Sequence, residues 1–474
     1  MRFGIRHCLS MLAALLAVSS LSSSSSSSIC RADDDTKAAT YLLRCGKGPG
    51  QINQVNIEIE VGGDLKLQEN GKTGTAPMSV VGQVRYEEKL LEADPKLLTN
   101  RSSIRYYSSA QATLKINKDV LKPELRDERR LIAASVLAGQ PTLFSPKGPL
   151  TGDELDLVEL PGNSLFLDLL LPDKEVKIGE SWKHPDNLIA ALLGVDSIQE
   201  NELASTLTDV KNDIAIIGLT GKAKGKIHGV ATELELRAKY HFNLKDQQVS
   251  GFALAVRENR EVGLIGPGLD VTARLKVERS PLSESTKLSD DALAGISLKA
   301  KPELTAVKFE SLRGGFRLTH DRLWHPMNVE GATLVLRRME RSDIVAQCNV
   351  SSLAKLTAGK HDNLTDFQAD VRTALGQNFE TFQDASESTN PQGFVVLRAF
   401  ARGKVQDIPI EWRYYLVGDS KTGRRMAFAF TLEESLIDRL GTADRDLLDQ
   451  VELFEPTVST AAKPDDKAAA QATK

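Results

Sequence analysis

The chain has 474 residues, of which 41% are hydrophobic and 26% charged, with a formal net charge of −4. That is the balance of a globular protein long enough for two or three hydrophobic cores. A mildly acidic chain, more so once Arg2, Arg6 and Arg31 leave with a leader, does not suit nucleic acid or an anionic membrane surface.

The first 32 residues read as a secretory signal peptide. Arg2 and Arg6 form a basic start, Met11 to Val18 an apolar centre, and Ser22 to Ser28 a polar run. Cys30 and Ala32 put small residues at the −3 and −1 positions, so cleavage is expected between Ala32 and Asp33. The apolar run is shorter than the ~20 residues a membrane span needs. A lipid-modified Cys30 is the alternative, but Ile29 stands before it where a small residue is wanted. No later apolar stretch is long enough to span a bilayer, so the mature chain is expected to be exported, to the periplasm or beyond.

Residues 33–279 are expected to form a β-rich domain. Gln54 to Glu60 alternates as QVNIEIE, and Met78 to Glu88 and Ala110 to Ile116 follow suit. Asp213 to Thr220, Thr232 to Leu244, Val249 to Val262 and Leu269 to Glu278 repeat the period-two pattern. Turns are expected at Gly62-Gly63, Gly71, Lys245-Asp246 and Gly266-Pro267-Gly268. Together these give a large curved antiparallel sheet. Two helices are expected within it, one near Pro123 to Leu137 and one after Pro185 carrying Leu188, Ile189, Leu192 and Leu193. Between them, Leu171 to Trp182 (LPDKEVKIGESW) reads as a Pro-led loop into a short strand. Trp182 is read as a core or sheet-mouth anchor, with ligand stacking the rarer use.

Residues 280–308, rich in Ser, Pro, Lys and Asp, are expected to be a linker with a short apolar patch at Leu293 to Leu298. Residues 309–456 read as a second domain. Phe316 to Thr319 and Ile344 to Val350 are strand-like. Asn363 caps a helix whose Leu364, Phe367, Val371 and Leu375 form one stripe, stopped at Gly376. Three strands follow between Gly393 and Leu432, with turns at Gln406-Asp407 and Gly418 to Gly423. Ile410, Trp412 and Tyr414 share one face, to which Phe400 and Phe428 are assigned; the other is assigned Val395, Leu397, Tyr415 and Val417. A sheet apolar on both faces wants cover on both. Leu440, Leu447, Leu448 and Val451 mark a closing helix near Thr442. Trp412 is read as structural, an exposed partner-binding anchor being the alternative. Residues 457–474 have almost nothing to bury and are expected to be disordered.

The second domain's order resembles the PsbP-like fold. The resemblance rests on Gly315-Phe316-Arg317-Leu318, Trp324, the run DIVAQCNV, a helix, IEWRYYLV, AFAFTLEES and a closing helix. It covers about Phe309 to Glu455 and implies an α/β/α arrangement around an antiparallel sheet. Members of that family mostly bind other proteins or have no assigned role, and no functional residue carries over by motif. The first domain is similar in architecture to the lipoprotein-carrier half-barrels of the bacterial envelope, which implies an apolar cavity for acyl chains. The class expected for the whole chain is therefore α+β.

Catalytic and cofactor motifs are not found. Gly179-Glu180-Ser181-Trp182 lacks the second Gly of a nucleophile elbow. Gly218 to Gly229 (GLTGKAKGKIHG) fails the phosphate-loop spacing and reads as a Gly- and Lys-rich turn. Gly46 to Gly50 is a loop. Acidic pairs at Asp153-Glu154 and Asp444/Asp446 read as solvated. His320 and His325 read as loop residues, since nothing completes a metal site with them. Cys45 and Cys348, the cysteines of the mature chain, read as buried free thiols rather than a disulfide. No cofactor or metal is expected. The leading expectation is a non-catalytic exported protein that binds an envelope or extracellular partner. A carrier of lipid or another apolar ligand, and a hydrolase with dispersed residues, are the alternatives.

Overall fold

The computed structural model describes residues 39–456, apart from 47, 70, 71, 95, 100, 138, 331, 332, 341 and 361. The signal peptide, the Ala32–Asp33 cleavage site, Gly71 and the 457–474 tail lie outside the described residues. The chain is mostly β and divides into two compact units, the first ending at Thr305 and the second beginning at Ala306.

In the first unit thirteen strands among the described residues form one antiparallel sheet. From one edge to the other it runs Ser181–Lys183, Ala204–Lys211, Ile214–Ile227, Val230–Asn243, Gln248–Arg260, Gly268–Leu282, Ile52–Glu69, Lys72–Ala93, Arg101–Ile116, Leu131–Leu137 and Gln140–Phe144. Two short strands, Ser197–Asn201 and Asp119–Leu121, pair off this path. Period two sorts the residues onto two faces. One face is charged and solvated: exposed Glu58 and Glu60 stand opposite Lys276 and Arg274. The other is apolar and buried, with Ile57, Ile59, Leu236, Leu254 and Leu275 on it.

That apolar face is concave, and the chain fills it with its own segment. The helix Gly152–Val158 starts with a capping box between Thr151 and Glu154. A 3₁₀ helix, Ser164–Leu170, and the helix Asp186–Leu193 follow, with Phe166, Leu167, Leu170, Ile189 and Leu192 buried. The 3₁₀ segment is gripped by Arg105 at Asn163 and by Tyr240 at Leu170. Those strands are five places apart in the sheet, roughly 24 Å if flat, whereas the helix spans only about 14 Å. The sheet curls to close that gap. Gln140, on one edge strand, also donates to the carbonyls of Val195 and Asp196, which lead into the Ser197–Asn201 strand near the other edge.

Several expectations change here. Pro123 to Leu137 is not a helix: only Asp127–Arg129 turns, and Leu131–Leu137 is a strand whose first four residues are all buried. A short apolar run buried on both faces carries no period to reveal it. Gly62-Gly63 does not reverse the chain but lies inside Ile52–Glu69, where a Cβ on Gly63 would meet the Asp270 carbonyl oxygen at 2.3 Å. Most of Gly218 to Gly229 likewise lies in Ile214–Ile227, and only His228 and Gly229 turn. Gly221 and Gly225 face the Glu202 and Ser197 carbonyl oxygens, each 2.5 Å from where a Cβ would stand. These glycines serve close strand approach. Much of the expected linker packs as part of the first unit. Ser280 to Leu282 finish a strand, and Leu288, Leu293, Ile296, Leu298 and Leu304 lie with Ile104, Leu131, Ala133 and Phe144.

In the second unit seven strands form an antiparallel sheet in the order Trp324–Glu330, Thr333–Glu340, Asp343–Leu353, Arg424–Glu433, Ile408–Asp419, Val395–Val405, Phe379–Thr389. The helix Leu364–Leu375, capped by Asn363, covers one face through Phe367, Val371 and Leu375 against Leu397, Trp412 and Leu416. The other face, with Tyr415, Val417, Phe428 and Phe430, packs on Leu440, Leu447, Leu448 and the strand Phe316–His320. The expected meander is there, and Gln406-Asp407 reverses it with φ of 51° and 67°, the primed two-residue turn. That turn pairs Val405 with Ile408 and so Ala401 with Trp412. Phe400 and Phe428 therefore lie on the face opposite Trp412, and Val395 and Leu397 on its own face, a one-residue correction of the expected assignment. His320 and His325 are in strands, and His320 is buried.

Candidate binding site

At one end of the first unit's concave face the apolar pattern is interrupted by charge. Asn53 is the register partner of Glu88, and Glu88 of Arg105, so three neighbouring strands turn these side chains to the same side. Arg105 Nε donates to Glu88 Oε1 at 2.8 Å, and its Nη2 reaches Asn163 Oδ1 at 2.5 Å and Ser164 Oγ at 3.2 Å. Ser103 Oγ donates to the same Glu88 oxygen at 2.9 Å. A second pair, Arg279 and Asp168, joins at 2.5 Å, and Val249 N also donates to Asp168 Oδ1. All these charged groups are buried. Burial pushes the Glu88 carboxyl up, but Arg105, Ser164 and Ser103 outweigh it and hold it below the usual carboxylate range.

Arg101 is a third buried guanidinium, 4% exposed. Its Nη1 donates to the Asp94 carbonyl at 2.6 Å, while the Asp94 carboxylate is turned to the amides of Lys96 and Leu97. Burial lowers the Arg101 pKa against the pull of Asp168, Cys45 and Glu88. Beside this lies a ring of amides: Gln51 Nε2 donates to Asn53 Oδ1 at 3.2 Å and to Gln248 Oε1 at 2.8 Å. Cys45, half-buried and outside any disulfide, sits on the rim of this end, and Gly46 N donates to the Gln247 carbonyl at 3.1 Å.

The expected candidates fall elsewhere. Trp182, in Ser181–Lys183, is half-buried and donates its Nε1 to the Leu170 carbonyl at 2.9 Å. Tyr240 Oη donates to that same carbonyl at 3.0 Å, so Trp182 helps anchor the end of the 3₁₀ segment. Trp412 is buried beneath Leu364–Leu375 in the second unit. Cys348 is likewise outside any disulfide, and burial pushes its thiol well up. The acidic pairs are not all solvated. Glu154 is buried and takes a bidentate contact from Arg126, with both oxygens at 2.6 Å. Asp444 is buried and accepts from Arg413 at 3.0 Å and Tyr415 at 2.6 Å.

A serine–histidine contact that the sequence did not single out joins His184 Nε2 to Ser205 Oγ at 2.7 Å. Both are buried, Ser205 Oγ also lies 2.9 Å from Tyr240 Oη, whose one proton goes to the Leu170 carbonyl, and burial alone lowers the His184 pKa to about 4. Among the described residues no group of three or more His, Cys, Asp or Glu is placed to hold a metal ion. No described helix is long and apolar enough to cross a membrane.

No family model matches the chain, and no curated protein matches it. Among solved structures it is similar to cyanobacterial PsbP from Synechocystis sp. PCC 6803, at 15% identity over 31% of this chain and 92% of that one, with a TM-score of 0.26. This is the PsbP-like likeness expected from the sequence. It is also similar to a crystal structure from Bacteroides thetaiotaomicron VPI-5482, at 10% identity over 31% of this chain and 47% of that one, TM-score 0.24. A structure on lipid–protein interactions in lipovitellin aligns at 9% identity over 51% of this chain and 26% of that one, TM-score 0.31. These likenesses concern fold alone.

Proposed function

We propose that this chain is an exported protein, periplasmic or extracellular, that binds a partner or ligand and does not transform it. The observation that carries the non-catalytic part is the state of the Ser205–His184 pair. It has the distance of a nucleophile and its base, but Ser205 is fully buried and already engaged by Tyr240, and burial alone, with no carboxylate beside it, sets the histidine's pKa. The export part rests on the charged, apolar and small-residue order of residues 1–32.

The carrier reading is weaker on one count. The concave face that would hold acyl chains is packed with Phe166, Leu167, Leu170, Ile189 and Leu192 of the chain itself. A bound lipid would have to displace that segment. Native mass spectrometry of protein purified from its own envelope, with N-terminal sequencing, is the test. The expected result is an N-terminus at Asp33 and a copurified partner or small molecule. Hydrolase activity that disappears in Ser205→Ala would overturn the non-catalytic reading, and a retained leader would overturn export.

A further inference from the structure

Five buried polar atoms without a hydrogen-bond partner come together at the charged end of the first unit's concave face: Gln51 Oε1, Asn53 Nδ2, Glu88 Oε2, Arg101 Nε and Gln248 Nε2. Leaving one such group unpaired costs the desolvation penalty of that group, and folded proteins keep few of them. Scattered, they would pass as small local losses. Here they belong to residues tied together by the Gln51 amide, by the Asn53–Glu88 register pair and by the strand Arg101–Ile116, where Ser103, bonded to Glu88, stands two residues from Arg101 on the same buried face.

Charge points the same way. Of the three buried guanidiniums Arg101 makes no ion pair among the described residues, the nearby Asp94 carboxylate being turned to the amides of Lys96 and Leu97. Arg105 is matched by Glu88 and Arg279 by Asp168, which leaves Arg101. A buried unpaired cation is strongly unfavourable unless something anionic joins it.

We propose that this end of the fold binds a small organic carboxylate that also carries a hydroxyl or amino group. The carboxylate meets Arg101 Nε, where a charge-assisted bond is strongest. The ligand's donor meets Glu88 Oε2, on a carboxylate held ionised by Arg105. The amides of Gln51, Asn53 and Gln248 complete the site. All three can turn over together and keep their mutual bonds, so they offer either donors or acceptors to the ligand. This assignment rests on the binding reading above and gives it a ligand class.

The test is calorimetric titration of the full mature chain with sodium L-lactate and L-serine. Sodium acetate, which lacks the donor, and sodium chloride at equal ionic strength are the comparisons. Saturable binding of lactate or serine is expected, with acetate weaker and chloride silent. Arg101→Met should weaken binding by about tenfold or more and melt no lower than wild type without ligand. Heat that chloride reproduces, no saturable heat from either probe, or unchanged affinity in Arg101→Met overturns the proposal. If Arg101→Met fails to fold, Asn53→Leu takes its place with the same two readings, and the wild-type titration decides by itself in the negative. Loss of the site leaves the export and copurification results untouched, so the two readings fail separately.

Discussion

Trp412 and Glu411 are adjacent on one strand and face opposite sides of the second unit's sheet. Trp412 lies under Phe367, Val371 and Leu375. Trp412→Ala leaves a cavity there and should destabilise the chain by about 3–5 kcal/mol. Glu411 looks expendable from sequence, yet it is buried, accepts from Arg413 Nε at 2.8 Å and from Arg402 Nε at 3.3 Å, and helps hold the Arg413–Asp444–Tyr415 chain. Removing it leaves Arg413 held by Asp444 alone and loses the Arg402 contact, so Glu411→Ala should cost less than the tryptophan change, about 1–3 kcal/mol. Urea unfolding of the full chain checks both. A Glu411→Ala loss below about 1 kcal/mol, the range of surface pairs, would show that the ion pair is not holding the sheet. The tryptophan's role was legible because period two marks a buried phase within five residues. The glutamate's was not, since Asp444 lies 31 positions from Arg413.

At the scale of elements, a strand announced itself when one face was solvated. Ile52–Glu69, Val230–Asn243 and the meander all alternate, and each was readable. Leu131–Leu137 was not, because it is buried without alternation, and the second half of Ile214–Ile227 was not, because its glycines imitate a loop. Gly221 has φ of +144°, and a Cβ there would press on the Glu202 carbonyl oxygen. Gly221→Ala should therefore part the Ala204–Lys211 and Ile214–Ile227 strands at that point, at a cost of about 1–3 kcal/mol. Gly218→Ala, whose nearest neighbour is the Thr208 methyl at 3.7 Å, should cost less than Gly221→Ala. Equal melting temperatures for the two variants would refute the close-approach account. The candidate site was partly legible by the same logic. Glu88 stands on the phase of Val80, Val84 and Tyr86, and Arg279 on that of Leu275 and Val277, so each is a charge where an apolar residue is due. What the sequence withheld is their meeting, which needs the 3₁₀ segment to bring Asn163, Ser164 and Asp168 across strands far apart in the chain.

For the whole molecule the sharpest consequence is the pH dependence of stability, because the first unit buries two groups of opposite sense. Burial holds His184 neutral, with its pKa lowered to about 4. As pH falls from about 6.5, the unfolded chain takes up that proton first, so stability drops until the folded histidine titrates near 4. Glu258 is also buried, 3.8 Å from Arg260, and burial raises its carboxyl to about 7. As pH climbs from about 4.5 the unfolded chain releases that proton first, so stability drops until the folded carboxyl titrates near 7. Each swing is on the order of 3 kcal/mol, and they run in opposite directions over nearly the same window. In the wild-type chain they largely cancel. Glu258→Gln removes one and should leave stability rising between pH 4 and 6.5. His184→Gln removes the other and should leave stability falling between pH 4.5 and 7. Denaturation of both variants and wild type across pH 4–8, read as differences so that shared carboxylate effects drop out, gives the comparison. Parallel curves for the two variants would mean that neither group is held in the protonation state its burial dictates.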